Sequence, residues 1–515
     1  MKRIFYIAVC SILLTTFSGC KKFLNLDPPS DLSGNNFWKT KTDVEQYTNG
    51  LYELFRQSVF RSNMRAAPGN DEFPFFTYTG DMRGAPIRPS GFVSWRNYFN
   101  QLTSNNIRAI MTPGDESGNF YGLFHHNRFA EWDRFYKVIA AANIAVERVE
   151  GVEALSDTEK KRYKGEAVFM RCLTYFFMVR IYGDVPYYTN AYNSAALSRM
   201  PMIEVLKNCS ADMLAAKDGL PWTYDDPAII AVRSMRGSAL SLIMHINMWL
   251  ASFDAPNATK YYEEVDRSGK ELLNDNGGAY TLLPLEKTKE IFKGRTKEGL
   301  FEIPQNVNYG ESFGWSAFSD NVLRAPYKNR AITSSYIYYE EEFMRKLYPD
   351  GEPDKRIANW FSVPDMFKTN GDFLMLKFAN VFANQNAEDN NPDDNQTVFR
   401  LPDAILLQAE AVAQLGDMAR AQQIANIVRD RSGAKPFTTT GKELLDDIFF
   451  ERCRELMGEG HYWYDVVRTR RIIDPEYKFG YHCSVQQYKD GAWTWPIAES
   501  ARINNPGITL NNYWR

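Results

Sequence analysis

The chain is 515 residues long and sets 60 Lys and Arg against 63 Asp and Glu, a formal net charge of −3. That balance lacks the concentrated basic character of a nucleic-acid binder, so no nucleic acid is expected as a partner. With 44% hydrophobic residues the chain can bury a large core. Past its N-terminus no stretch reaches the roughly 18 uninterrupted apolar residues of a membrane span.

Lys2 and Arg3 form a positive start, and Ile4 to Phe17 is a largely apolar run too short to cross a bilayer comfortably. It has the form of a secretory signal. Ser18-Gly19-Cys20 then resembles a lipobox, the site at which bacterial lipoproteins are lipidated and cleaved. The resemblance implies a signal peptide over residues 1–19, a lipid on Cys20 and one extracytoplasmic domain over 20–515. Cys172, Cys209, Cys453 and Cys483 remain, and nothing in their spacing selects among three pairings. No C-x-x-C pair exists, so no zinc site is expected. Cys172 and Cys453 sit in apolar helical patterns and read as small buried hydrophobes.

Asp43 to Phe55 reads as a first helix, with Val44, Tyr47, Leu51 and Leu54 on one face. Residues 61–130 are rich in Gly, Pro, Asn, Arg and aromatics without sustained periodicity, as a long functional loop region would be. Helical pattern resumes at Trp132. From Glu159 to Tyr182 the pattern is apolar nearly all round, which predicts a central helix, and Gly183-Asp184-Val185-Pro186 ends it. Further helices are expected over 202–215, 233–253 and 261–273, then a strand over Gly299–Ile303. Asn306 to Asn321 reads as a second aromatic loop, within an irregular region that runs from 276 to 330. Tyr336 to Tyr348 is expected to be helical.

Asn384 to Gln396 is a polar tract. As a calcium loop it fails, because Asp394 stands where the EF-hand glycine belongs and Arg400 where its last Glu belongs. A solvated loop is expected there. Leu401–Leu415 and Met418–Arg431, broken at Gly416-Asp417, predict a helical hairpin with Ala409 and Val412 facing Ala421 and Ala425. Small residues at facing positions are the logic of tetratricopeptide-like (TPR-like) pairs, which need stacked neighbours. The fold class expected is mostly α: a TPR-like helical-hairpin scaffold interrupted by long irregular loop regions.

Several blocks together resemble the SusD/RagB family of outer-membrane lipoproteins. They are Phe23-Leu24-Asn25-Leu26-Asp27-Pro28-Pro29 after Cys20, Asn36-Phe37-Trp38, Gly165 to Arg171 with Tyr182 to Pro186, and Arg400 to Ala411. Arg429 to Gly433, Glu451 to Leu456, Glu459 to Asp465, Trp495-Pro496-Ile497 and Asn504-Asn505-Pro506-Gly507 complete the series. His461 departs from the family, where Arg is common. The resemblance implies a SusD-like fold and a cell-surface, lipid-anchored protein of the outer membrane. Its implied partners are an oligosaccharide ligand and a SusC-like TonB-dependent transporter. A RagB-like peptide binder is the alternative within the family. A surface glycoside hydrolase and a pure TPR scaffold are rivals from other classes.

The residues themselves argue against catalysis. Asp71-Glu72 are adjacent and would point apart on a strand. Glu451, Glu455, Glu459, His461, Asp465 and Arg468 fall at helical spacings that form ion pairs. No metalloprotease, nucleophile-elbow or Walker motif occurs, and His125-His126 is a poor metal signature. No cofactor is expected. Loop aromatics flanked by polar groups suit sugars, whose C–H faces stack on rings while hydroxyls seek donors and acceptors. Trp95, Tyr98, Tyr309, Trp315 and Phe318 are the candidate platforms. Asp71, Arg83 and Asn100 are the candidate polar partners. The regions 61–130 and 304–330 are expected to meet on one face of the scaffold.

Overall fold

The computed structural model describes residues 37–61, 73–91, 98–111, 129–305, 318–328, 330–382, 391–392, 394–503 and 505–515. Cys20 and the signal segment lie outside them, as do Asp71, Trp95, Tyr309 and Trp315. Nine long helices carry the described part: α1 (Lys41–Val59), α2 (Asp133–Arg148), α3 (Asp157–Tyr182), α4 (Met202–Ala216) and α5 (Arg236–Phe253), followed by α6 (Ala258–Asn274), α7 (Leu401–Gln414), α8 (Met418–Arg431) and α9 (Gly441–Glu455). Strands are short and come in antiparallel pairs: β1 (Phe60–Arg61) with β2 (Phe73–Pro74), β3 (Ile87–Pro89) with β5 (Ile337–Tyr339), β4 (Gly299–Ile303) with β8 (Gln396–Arg400), and β6 (Val381–Phe382) with β7 (Asn391–Pro392). The protein is mostly α.

Chain-neighbouring helices pack in series, α2 on α3, α3 on α4, α4 on α5, α5 on α6 and α7 on α8, while α6 also packs on α7 and α1 covers α2 and α3. This is the stacked-hairpin arrangement that the alanine pattern predicts. Ala409, Val412, Ala421 and Ala425 are all fully buried, so the α7 and α8 backbones approach closely. Helix α3 starts at a capping box, with Ser156 and Glu159 each bonding the other's backbone, and stops at Gly183, whose φ of +76° no side-chain-bearing residue adopts cheaply. Every residue from Gly165 to Tyr182 is buried, so α3 is the central helix. Its ring of Phe, Tyr and Met side chains supplies much of one continuous core. Cys172, Cys209 and Cys453 are buried free thiols, and Cys483 is half-buried and free.

Three expectations need correction. Tyr336 to Tyr348 is not one helix. Ile337–Tyr339 forms strand β5, with Ile337 opposite Pro89 and Tyr339 opposite Ile87, and only Glu341–Leu347 is helical. Alternating burial of Ile337 and Tyr339 against the half-exposed Tyr338 is the period-2 signature that a helical reading overlooks. Second, the described parts of 61–130 are not surface loop. They include a π-helical turn at Phe76–Asp81 with every residue buried, and short helices at Tyr98–Thr103 and Ile107–Met111. Third, Asp394 and Asn395 are buried rather than solvated, and the Asn395 amide donates to Glu302 at 2.9 Å.

Candidate ligand-binding face

Helix α1 delivers the chain into the first loop region, and strand β4 delivers it into the second. The two departures are tied together: Arg56 Nη1 donates to the Pro304 carbonyl at 2.9 Å. The middle of the first region is tied to the chain just past the second. Beyond β3 the Ser90 amide donates to the Tyr336 carbonyl at 2.8 Å, and Ser90 Oγ donates to the Ser335 carbonyl at 2.5 Å. Lys328 closes the second region from inside. Its ammonium lies 2.7 Å from Asp320 Oδ1 and 4.1 Å above the Tyr336 ring. Described residues in and beside the first irregular region thus lie against residues that border the second, and together they outline one candidate face.

That face rests on the block from α9 to the short helix Tyr462–Arg468. The chain turns there through Gly458 (φ +82°) and Gly460 (φ +89°). A Cβ on Gly80 would sit 2.2 Å from the Gly460 carbonyl oxygen, and one on Gly458 would overlap the Phe318 ring. Glycines let the two loop regions press backbone and ring directly onto this turn. The Gly460 amide donates to Asp81, which burial pushes well above the usual carboxylate range despite that bond.

Of the eight sequence candidates for ligand contact, four are described. Asn100 is exposed, on the short helix that follows residues 92–97. Arg83, Tyr98 and Phe318 are buried, and as exposed ligand partners they are corrected. Tyr98 stacks on Tyr78, and their hydroxyls bond at 3.1 Å. Phe318 packs against Phe378 and over Gly458. The Arg83 guanidinium lies 4.4 Å from the Trp463 ring centre and 5.5 Å from that of Trp495. It donates to Asn105 Oδ1 and to the Ala492 and Thr494 carbonyls at 2.8–3.0 Å. Burial pulls it down to about 9. Arg83 is thus a bolt between the first loop region and the C-terminal tail. Gly458 and Gly460 are the local sequence sign that something packs there, and aperiodic aromatics hide what.

The charges of the 451–468 block are buried and paired. Glu451 faces Arg356, Arg429 and Arg454; Glu455 faces Arg356, Arg400 and Arg431; Glu459 faces Arg400 and Lys377; Asp465 faces Arg452 and Arg468. His245, Asp403 and His461 bring three possible metal-ligand atoms within 4.8 Å of one another. Arg452, however, already lies 2.8 Å from Asp403 Oδ1 and supplies its counter-charge. Burial drives His461 down to about 4 and lowers His245 against the pull of Asp403, and the two rings stack beside that carboxylate.

This network makes stability acid-sensitive. Burial opposes ionisation of Glu451, but Arg356, Arg454 and Arg429 overcome it and hold the carboxyl at about 2; Arg452 and Arg468 do the same for Asp465, also at about 2. Folded-state values lie below the unfolded ones near 4, so the stabilisation is present above about pH 4.5 and is lost as pH falls through 2. Each group contributes on the order of 3 kcal/mol by linkage. Asp81 and Glu302, raised by burial, work in the opposite sense and blunt the effect. Denaturant melts from pH 7 to pH 2 should give a flat region and then a steep fall below about pH 4.5. A profile flat to pH 2.5 would mean the pairs do not hold these carboxylates ionised.

Comparison with known proteins now bears on the assignment. Residues 362–514 match the SusD family, and residues 90–248 match a family described as starch-binding, associating with the outer membrane. A SusD homologue from Bacteroides thetaiotaomicron, solved at 1.35 Å, is 38% identical over 93% of this chain and all of its own, with a TM-score of 0.82. The chain belongs to the SusD family. SusD-like protein P38 of Formosa agariphila is 24% identical and aligns over 99% of both chains. A laminarin-binding SusD-like protein shares the fold with a TM-score of 0.67 at 20% identity, over 92% of this chain and 99% of its own. The family's own description associates its members with the outer membrane.

Proposed function

We propose that this SusD-family chain is a non-enzymatic, cell-surface lipoprotein of the outer membrane that captures oligosaccharides and hands them to a SusC-like TonB-dependent transporter. The observation that carries the ligand half is the contact between the two irregular regions, Arg56 with Pro304 at their starts and Ser90, within the first, with Ser335 and Tyr336 just past the second. In this reading Trp95, which follows Ser90 in the chain, and Trp315, which follows Pro304, supply the rings, and Asn100, exposed on the short helix Tyr98–Thr103, supplies an amide. Flat rings with a neighbouring amide suit a saccharide. Family membership and the laminarin-binding relative support a sugar over a peptide. The absence of catalysis is supported by the burial and pairing of the carboxylates in the 451–468 block. The transporter and the lipid anchor rest on family resemblance and on Ser18-Gly19-Cys20.

Calorimetric titration with laminarin-type and starch-type oligosaccharides, run beside thermal melts, tests the ligand half. Trp315→Ala and Trp95→Ala should each weaken binding by about 1–3 kcal/mol, as stacking anchors do, with little change in melting temperature. Unchanged affinity in both variants would remove the platform. A melting point many degrees lower would place those rings in the core.

A further inference from the structure

Helices α2, α3 and α4 enclose a cleft of about 620 Å³, within the size range of small-ligand sites, between the N-terminal half of α3 and the corner where α4 ends. It is separate from the loop-built face. Lys161 at its outer end is about 24 Å along α3 from Phe177, the residue that packs on Phe76 of the first loop region, and Arg171 at its inner end about 9 Å, and none of the cleft's lining residues belongs to either loop region.

Lys161, Lys164, Val168 and Arg171 recur at i, i+3, i+7 and i+10, so they form one stripe of α3, and all four line the cleft. Lys161 and Lys164 are exposed, and neither ammonium has a side-chain partner among the described residues. Arg171 is only 5% exposed. Two of its nitrogens bond Asn143 Oδ1 at 2.8 Å and Asp212 Oδ2 at 2.9 Å, while its buried Nε has no acceptor. The acids at the cleft are already committed: Asp212 to Arg171, and Asp218 to Lys217 and Arg236. Positive charge is left over along the wall. The floor is small and close. A Cβ on Gly219 would lie 2.7 Å from the Lys161 carbonyl oxygen, and Gly165, Ala215 and Ala216 offer no pocket for a large apolar anchor.

We infer that this cleft is a second ligand site, for an oligosaccharide bearing carboxylate or sulfate groups on successive residues. Lys161 to Arg171 spans about 15 Å of helix, the reach of a short polyanion rather than of one ion. Flexible lysine ammoniums read charge, and the half-committed guanidinium of Arg171 offers a fixed donor at the inner end. A peptide docking between helices would want apolar anchor pockets, which the floor lacks. That the anion is a sugar rests on the function proposed above; that the cleft takes an anion does not.

The test uses the full-length protein and four hexamers: oligogalacturonate, a sulfated galactan, a neutral galactan and hexaglutamate. Both acidic sugars should bind, more weakly as salt rises, since exposed charges are screened. The tighter of the two identifies the group read. Lys161→Ala with Lys164→Ala should cost about tenfold in that affinity, leave the melting temperature unchanged, and leave binding of the laminarin-type or starch-type oligosaccharide at the loop face untouched. The Trp315→Ala variant should do the reverse, so failure of either site is seen separately. Acidic-sugar binding that is absent, or equal in the double-lysine variant, overturns the site. Hexaglutamate binding as tightly as the acidic sugars overturns the sugar class.

Discussion

Arg400→Ala is expected to destabilise the protein by about 3–5 kcal/mol. Arg400 ends strand β8, precedes α7 and is only 2% exposed. Its Nη1 lies 2.9 Å from Glu298 and 2.7 Å from Glu455; its Nη2 donates to Glu459 and to the Glu455 carbonyl at 2.6 Å; its Nε donates to Glu459 at 2.7 Å. Removing one cation leaves three buried carboxylates short of a partner. Arg431, Arg356 and Lys377 remain for them, but each already serves another bond. The cost is the exposed debt of desolvated charge rather than the net worth of the pairs. Arg400→Lys should recover only part of it, because one ammonium cannot replace a fork that reaches three side chains and a carbonyl. Denaturant midpoints of the two variants decide the matter. A loss under about 1 kcal/mol for alanine would show that the network relaxes freely. Full rescue by lysine would show that charge alone matters, not geometry.

The same network bears on ligand capture. Glu455 precedes, and Glu459 sits within, the turn at Gly458 and Gly460 on which Gly80, Phe76 and Phe318 rest. Loosening Arg400 would therefore loosen the base under both loop regions, and a partly folded Arg400→Lys protein should bind its oligosaccharide less well than its residual stability implies.

Much of this was legible in the chain. The apolar wrap from Tyr163 to Ile181 marked a central helix because no amphipathic face was left for solvent. Alanines at 409, 421 and 425 marked close helix packing, because only small side chains permit it. The charges of the 451–468 block were expected to pair with one another at i, i+3 and i, i+4, yet only Glu451 with Arg454 and Asp465 with Arg468 do; the main partners of Glu451, Glu455 and Glu459, at 356, 377, 400, 429 and 431, lie off the helix and no local pattern names them. The candidate site was read less well. Arg83, Tyr98 and Phe318 lie in aperiodic, glycine-rich sequence, and a helix or strand period is the only local sign of burial. Their packing partners, Trp463, Trp495, Tyr78 and Phe378, come mostly from other parts of the chain. Tyr336 to Tyr348 was misread because a three-residue strand and a seven-residue helix follow one another without a glycine or proline between them.

Cys20→Ala should release the protein from membranes almost completely. A lipobox cysteine carries two or three acyl chains, and a single myristoyl chain already gives marginal anchoring, so the change from several chains to none is close to all-or-none. No described helix is long and apolar enough to hold the protein in a bilayer in its place. The measurement is fractionation of cells that lack the cognate transporter, with the variant carried by a cleavable signal that still exports it. A variant found in the membrane fraction of such cells would refute the lipid anchor. Restoring the transporter separates tether from complex: a lid over a barrel should bury well over ~1,000 Å², enough to hold the unlipidated protein by itself. The variant should then return to the membrane fraction and co-purify with the barrel in mild detergent. Recovery of the lipidated, wild-type protein only as a free monomer, with its transporter present, would break the link between this chain and TonB-dependent uptake while leaving the lipid on Cys20 intact.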